Sequence, residues 1–335
     1  MKKMFEYSKY RIKINNFDNS QENYPSQDII IIRTNDPYKL FEVSLLKGFS
    51  ENSIEEIEST FNNTNDQYIR EYPELEFSMS SNSLVTESLP SVKSSILITN
   101  NENLENKIKK YLSLGFDTFK IKFSKQNYIR KIKELENIKT NTIIRADFNN
   151  DFSLEEAKTF LNNLEYKFEF IEGLVESETF ENYNLLSRNK HSLCIDLTKE
   201  NLDESIKLIE SKLVDYVAIK PKLLGAEKHT LDMINRCFDN NIQSYISSSF
   251  ETQLGLNQSL MIAKYLDDLY CNKITHGFGT IIYMDKSVIP GISLKNGFVD
   301  LQPSDFKTDK INKFQTSEWK RIRNVYILEK LKNAL

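Results

Sequence analysis

The sequence predicts an α/β protein, a parallel β/α barrel preceded by a smaller α+β domain. Three observations predict it. Short runs rich in β-branched and aromatic residues recur along the chain. Single amphipathic segments of helical period separate them. The distance from one strand end to the next is nearly constant. The ends Lys120, Asp147, Glu172, Asp196, Lys220 and Ser247 fall about 24–27 residues apart, the length that strand, loop, helix and loop need together in such a barrel. An open doubly wound sheet is the competing arrangement, but it does not call for a polar residue at the end of so many successive strands.

The elements follow in order. Residues 1–92 read as the α+β domain, with strands at Tyr10–Ile14 and Ile29–Thr34, a helix opening at Ile54–Phe61, and a polar stretch over 62–88. Residues 93–287 read as the barrel. Its strands are Ser95–Thr99, Thr118–Phe123, Thr142–Asp147, Phe168–Glu172, Leu193–Asp196, Tyr216–Lys220 and Ile242–Ser247, with a weaker eighth at Lys273–Phe278. Leu202, Ile206, Ile209 and Leu213 share one helical face. Leu231, Ile234 and Phe238 are expected to share another. The tail, about 288–335, is expected to pack back against the first domain.

Composition excludes several classes. The chain has 335 residues, 44 Lys+Arg and 48 Asp+Glu, a net charge of −4, so bulk charge does not predict a nucleic-acid partner. With 39% hydrophobic and 27% charged residues it is globular material, and 9 Gly and 7 Pro argue against a glycine-dense nucleotide loop. No apolar run has signal-peptide or membrane-span length. Cys194, Cys237 and Cys271 form no Cys-x-x-Cys pair and read as core filler. His191, His229 and His276 lack metal-ligand spacing and read as structural. A cytoplasmic protein without a membrane partner is expected. The oligomeric state is not assigned, and a monomer is compatible.

Side chains alternate across a strand. In Phe119-Lys120-Ile121-Lys122-Phe123 the apolar residues must face the outer helices, so both lysines point into the lumen. The same test turns Arg145 inward beside Asp147, and it puts Glu172, Asp196 and Lys220 at strand ends. The C-terminal rim of a barrel is where its chemistry sits. Five successive strands thus deliver Lys, Asp, Glu, Asp and Lys to one mouth. Three adjacent carboxylates repel one another unless a cation lies among them, and an oxygen-only set suits magnesium, with manganese as the alternative. A lysine beside a dication has a depressed pKa and can act as a base. This combination suits abstraction of a proton α to the carboxylate of a small-molecule substrate.

The order Lys120-Ile-Lys122, Arg145-Ala-Asp147-Phe-Asn149, Ile171-Glu172, Ile195-Asp196 and Ala218-Ile-Lys220-Pro resembles the enolase superfamily, in the muconate-lactonizing-enzyme-like branch with a lysine on each side of the metal. Within it, Ser247-Ser-Ser-Phe-Glu251, Phe41–Ser50 and Gly277-Phe-Gly-Thr280 are similar to segments of the o-succinylbenzoate synthase family. The resemblance implies a modified (β/α)7β TIM-like barrel with an N-terminal α+β capping domain. It also implies a metal-dependent syn dehydration in menaquinone biosynthesis. In that scheme Lys122 is the base and then the acid, and Lys220 stabilises the enediolate. Asp147, Glu172 and Asp196 hold Mg2+. Ser247 and Gly277 line the succinyl pocket, while Lys120, Arg145 and Asn149 support the site. Gly173-Leu174 and Leu197-Thr198 depart from the family's usual neighbours of its ligands, which predicts weaker metal binding. A dipeptide epimerase or N-acylamino-acid racemase on the same scaffold is the alternative. A Schiff-base aldolase and a non-catalytic barrel are weaker ones.

Overall fold

The computed structural model describes residues 4–15, 26–34, 40–45, 50–64, 72–80, 90–99, 103–138, 140–186, 189–271, 274–302 and 315–333. The chain opens with strands β1 (Phe5–Lys13), β2 (Ser26–Thr34) and β3 (Leu40–Ser44), then helices α1 (Ile54–Asn62) and α2 (Pro73–Met79). Sequence reasoning names two strands here. The structure adds β3, and it places α2 inside the stretch read as merely polar. Period 2 explains the sheet's position. Ile29 and Ile31 of β2, with Tyr10 and Ile12 of β1, join the barrel core. Ile30 and Ile32, with Phe5, Tyr7, Phe41 and Val43, form a second core with Ile57 and Phe61 of α1. A Ser53–Glu56 capping box starts α1.

The barrel elements follow: β4 (Ser91–Lys93), β5 (Ile96–Ile98), α3 (Leu104–Leu112), β6 (Thr118–Lys122), α4 (Tyr128–Asn137), β7 (Ile143–Asp147), α5 (Leu154–Asn163), β8 (Ile171–Glu172), α6 (Phe180–Leu186), β9 (Leu193–Leu197), α7 (Leu202–Glu210), β10 (Tyr216–Ile219), α8 (Pro221–Leu224), α9 (Glu227–Asp239), β11 (Gln243–Ile246) and α10 (Gln253–Leu269). Strands β5 to β11 form one seven-stranded parallel sheet in sequence order. Its two edges meet through residues 276 and 277. Ser94 bridges His276, and Ser247 bridges Gly277, both in parallel. The N–H of Ser95 donates to the His276 carbonyl at 2.8 Å, and that of Gly277 to the Ile246 carbonyl at 2.7 Å. The eighth candidate strand is therefore a two-residue seam rather than a full strand. Lys273 lies outside the described residues.

Two further expectations are corrected. β8 shrinks to Ile171–Glu172, although the Glu169 N–H still donates to the Ile144 carbonyl and the Phe170 carbonyl still accepts from the Ala146 N–H before it. On α9 the buried face is Thr230, Met233, Ile234 and Cys237, while Phe238 is exposed and packs its ring on Tyr270. Leu231 is half-buried and packs against the barrel core, while the i, i+3, i+4, i+7 set Thr230, Met233, Ile234 and Cys237 takes the centre of the face and Phe238 falls outside it. Beyond the barrel, β12 (Ile292–Lys295) and β13 (Phe298–Leu301) form a three-stranded sheet with β4. β14 (Lys320–Arg321) pairs with β1, and helix Val325–Asn333 puts Ile327 and Leu331 into the second core. No helix of the described residues is long and apolar enough to cross a membrane.

Candidate active site at the barrel mouth

β6 pairs with β7 so that Lys120 stands opposite Arg145 and Lys122 opposite Asp147. β7 pairs with β8 so that Asp147 stands opposite Glu172. On β9 Asp196 pairs with Ala218 of β10, and Lys220 follows directly as the N-cap of α8. The structure thus brings Lys120, Lys122, Asp147, Glu172, Asp196 and Lys220 to one end of the sheet.

A cavity of about 410 Å³ opens there, between the barrel and the first domain. Lys120, Lys122, Asp147, Asn149, Asp196, Lys220, Ser247 and Gly277 line it. Glu172 is fully buried beneath them. Arg145 does not reach the cavity lining. It lies one layer below, its guanidinium 4.9 Å from the centres of both the Phe170 and Tyr245 rings and its Nε 2.5 Å from Glu169 Oε2. Arg145 is therefore outside the cavity lining, held by Glu169 and packed between the Phe170 and Tyr245 rings.

The charges are interleaved. Lys120 Nζ lies 2.5 Å from Glu172 Oε1 and 3.1 Å from Asp147 Oδ2. Lys122 Nζ donates to Asn149 Oδ1 at 2.5 Å and lies 3.4 Å from Asp147 Oδ2. Lys220 Nζ is 2.5 Å from Asp196 Oδ1. Burial works against the Lys120 ammonium, but Asp147, Glu172 and Asp196 outweigh it and hold its pKa well above the usual lysine value. Burial lowers Lys122, and the nearby Lys120 and Lys220 charges add to that, so its pKa lies below the usual value despite Asp147. Burial would raise Asp147 and Asp196. Lys120 and Lys122 outweigh it at Asp147, and Lys220 and Lys120 at Asp196, so both lie low. Glu172 is pushed up to about 7 by burial and by the Asp196 carboxylate.

The donor set fits a hard dication in its chemistry. It is three carboxylates, and the Cys194 thiol, a softer group, stands 3.9 Å from Glu172 Oε2. The Lys120 ammonium already bridges Asp147 and Glu172, so a positive charge is accommodated between them. As they stand, the His, Cys, Asp and Glu side chains of the described residues form no group of three close enough to hold an ion.

Local sequence explains the loops. Asn149 and Asn150 have positive φ (50° and 59°), a conformation Asn tolerates. Gly173, after Glu172, has φ 58°, and a Cβ there would lie 2.9 Å from Asn150 Oδ1. A Cβ on Gly277 would lie 2.9 Å from Ser247 Oγ, so that glycine keeps the cavity wall open. Of the stretch Phe41–Ser50, residues 46–49 lie outside the described residues. Sequence reasoning missed Tyr245, whose hydroxyl donates to Glu172 Oε2 at 2.6 Å. Alternation on β11 would have found it, since Tyr245 shares a face with Ser247. It also missed the first domain's contribution to the cavity, including Gln27, Asp28 and Asn52. His276 is structural: its Nδ1 accepts from the Ile246 N–H at 3.1 Å. Cys194 and Cys237 are buried, but Cys271 is exposed, because it sits just past the end of α10 rather than in the core.

Residues 103–304 match the enolase C-terminal domain-like family. The o-succinylbenzoate synthase of Bacillus subtilis (strain 168) is 20% identical over 202 residues, covering 60% of this chain and 54% of that protein. The chain spans about half the length of the curated relatives it matches. Among solved structures, MenC from Desulfotalea psychrophila LSv54 has a TM-score of 0.69 at 17% identity, covering 89% of this chain and 99% of that one. The N-succinyl Arg/Lys racemase from Bacillus cereus ATCC 14579 has a TM-score of 0.78 at 16% identity, covering 96% of this chain and 100% of that one. These structural likenesses speak for the fold. The family match spans most of the chain and the whole run of strands that carries the six charged residues, so the chain belongs to the enolase superfamily and is an enzyme of it.

Proposed function

We propose that the protein is an o-succinylbenzoate synthase. It would dehydrate 2-succinyl-6-hydroxy-2,4-cyclohexadiene-1-carboxylate to o-succinylbenzoate by syn elimination, as in menaquinone biosynthesis. The observation that carries α-proton abstraction at this cavity is the pair Lys122 and Lys220 lining it on either side of three carboxylates, and what favours dehydration is the unlike pairing of the two lysines, Lys122 with neutral Asn149 and Lys220 with Asp196. The curated relatives, both named o-succinylbenzoate synthase, support this choice of reaction.

Asp147, Glu172 and Asp196 would hold Mg2+, which when bound supplies Lewis-acid stabilisation of negative charge on a substrate carboxylate. The chain's own residues do the rest. Lys122 Nζ, lowered in pKa and oriented by Asn149 Oδ1, takes the α proton and returns it to the departing hydroxyl. Lys220, held 2.5 Å from Asp196 Oδ1, stabilises the charge that develops on the substrate. Ser247 and Gly277 line the space for the succinyl arm.

A racemase or epimerase is the second reading, because both lysines reach the same cavity and the racemase structure overlays the chain well. An ultraviolet assay with the cyclohexadiene, run beside optical rotation with an N-succinylamino acid, separates the two. Dehydration without efficient racemisation supports the synthase. Efficient racemisation without dehydration replaces it by the racemase.

A further inference from the structure

β3 presents Glu42 and Ser44 on one face, and that face meets the barrel. Glu42 is buried, and its carboxylate takes three hydrogen bonds from the start of α10: the Thr252 N–H at 3.0 Å, the Thr252 hydroxyl at 2.5 Å and the Gly255 N–H at 3.2 Å. A strand of the first domain thus supplies an anionic cap to a barrel helix, satisfying N–H groups that the helix itself cannot. Beside it lies Lys222, only 1% exposed and two residues beyond Lys220. Its ammonium donates to the Ser249 carbonyl at 2.7 Å and to Ser44 Oγ at 3.2 Å. Lys222 therefore holds the segment between β11 and α10 at its middle, Ser249, and Glu42 holds it at its end, Thr252. Ser247, Ser248 and Phe250 of that segment line the cavity. Phe250 adopts φ 63°, a strained conformation that persists only where surroundings enforce it.

We propose that Glu42 and Lys222 form an interdomain latch that positions the Ser247–Phe250 wall, so that docking of the first domain sets substrate affinity. Both are positioning residues and touch no reacting atom. The inference rests on the cavity being the substrate site, and one arm of its test is independent of the reaction.

The test uses the full-length chain. Glu42→Ala leaves the buried Thr252 and Gly255 donors without their acceptor and can fail to fold. The informative variant is therefore Glu42→Gln/Lys222→Met, which removes both charges and the tether to Ser249 while keeping similar volume. Amide hydrogen exchange should rise about tenfold or more at residues 247–255, with residues 118–122 unchanged, the result of losing charge-assisted hydrogen bonds worth that factor or more. KM for dehydration should rise about tenfold with kcat within about threefold, the pattern of lost uniform binding. Glu42→Gln alone, which keeps an acceptor for the Thr252 N–H, should lie between the double variant and wild type in both readouts. Unchanged exchange at 247–255, or exchange rising equally across the barrel, would overturn the latch. Faster local exchange with unaltered KM would overturn its link to the cavity. A wild type that does not dehydrate the cyclohexadiene sinks the activity reading alone, and the exchange comparison still decides the latch.

Discussion

Lys122 and Lys220 line one cavity with different partners, and that difference predicts how each behaves when replaced. Lys122 faces a neutral acceptor, Asn149, while Lys220 is tied to a carboxylate, Asp196. Catalysis by Lys122 requires its neutral form. Its pKa is lowered from 10.5, so kcat/KM should climb with pH and reach its plateau below that value. A profile still rising above pH 10.5 would exclude Lys122 as the base. Gly173 is the second test at this scale. Gly173→Ala forces a left-handed conformation and a 2.9 Å contact with Asn150 Oδ1 directly after Glu172. It should cost about 1–2 kcal/mol in thermal or denaturant unfolding. An unchanged midpoint would show that the loop has room to adjust. The lysines and carboxylates were legible in the sequence because two-residue alternation forces Lys120 and Lys122 inward together. Lys120 as the counter-ion between Asp147 and Glu172 was not legible, because its reach across two strands depends on side-chain conformation rather than register.

At the scale of elements, Glu58 ties α1 to two strands. Its carboxylate lies 2.7 Å from Lys9 of β1 and 2.7 Å from Lys320 of β14. Burial would raise its pKa, but Lys320 and Lys9 outweigh it and lower it from 4.5. A carboxylate lowered on folding contributes stability above its unfolded pKa and loses it as pH falls through the folded one. The Tm difference between wild type and Glu58→Gln should therefore be full near neutrality and shrink below about pH 4.5, the ordinary carboxylate value. A difference that stays constant down to pH 3 would show that the charge is not involved. The helices and strands of the barrel were readable from periodicity. The orientation of α9 was not, because periodicity reports a face only to within a residue: Leu231 still packs on the core, but Thr230 and Cys237 take its centre and Phe238 is left exposed. β3 was not read as a strand, since Leu40–Ser44 is short and carries Glu42, whose partners lie about 210 residues away in sequence.

At the scale of the whole molecule, the two edges of the barrel sheet meet, among the described residues, through the His276–Gly277 seam, and the first domain covers the mouth. Constant spacing revealed the repeat of strand and helix. It could not reveal that closure takes two residues, since that depends on how far the seven strands curl. In metal binding, Lys120 occupies the space between two of the three carboxylates. Mg2+ held by these carboxylates would have to compete with it, and Gly173-Leu174 and Leu197-Thr198, next to the proposed ligands, are themselves uncharged. Calorimetric titration should show weak binding, with Kd well above about 10 µM, and Lys120→Met should tighten it. Saturation at low micromolar magnesium in wild type would contradict this.

The central claim is that one lysine moves the proton and the other only stabilises charge. The most direct measurement is turnover and solvent-deuterium exchange on the cyclohexadiene by wild type, Lys122→Ala and Lys220→Arg. Lys122→Ala should lose both dehydration and exchange by at least about 10²–10⁴-fold, the usual loss on removing a general acid–base. Lys220→Arg, which keeps a cation that cannot deprotonate, should retain measurable dehydration. Equal abolition by both substitutions, with wild type exchanging the α proton of an N-succinylamino acid from both faces, would contradict the claim and leave a two-base racemase in its place.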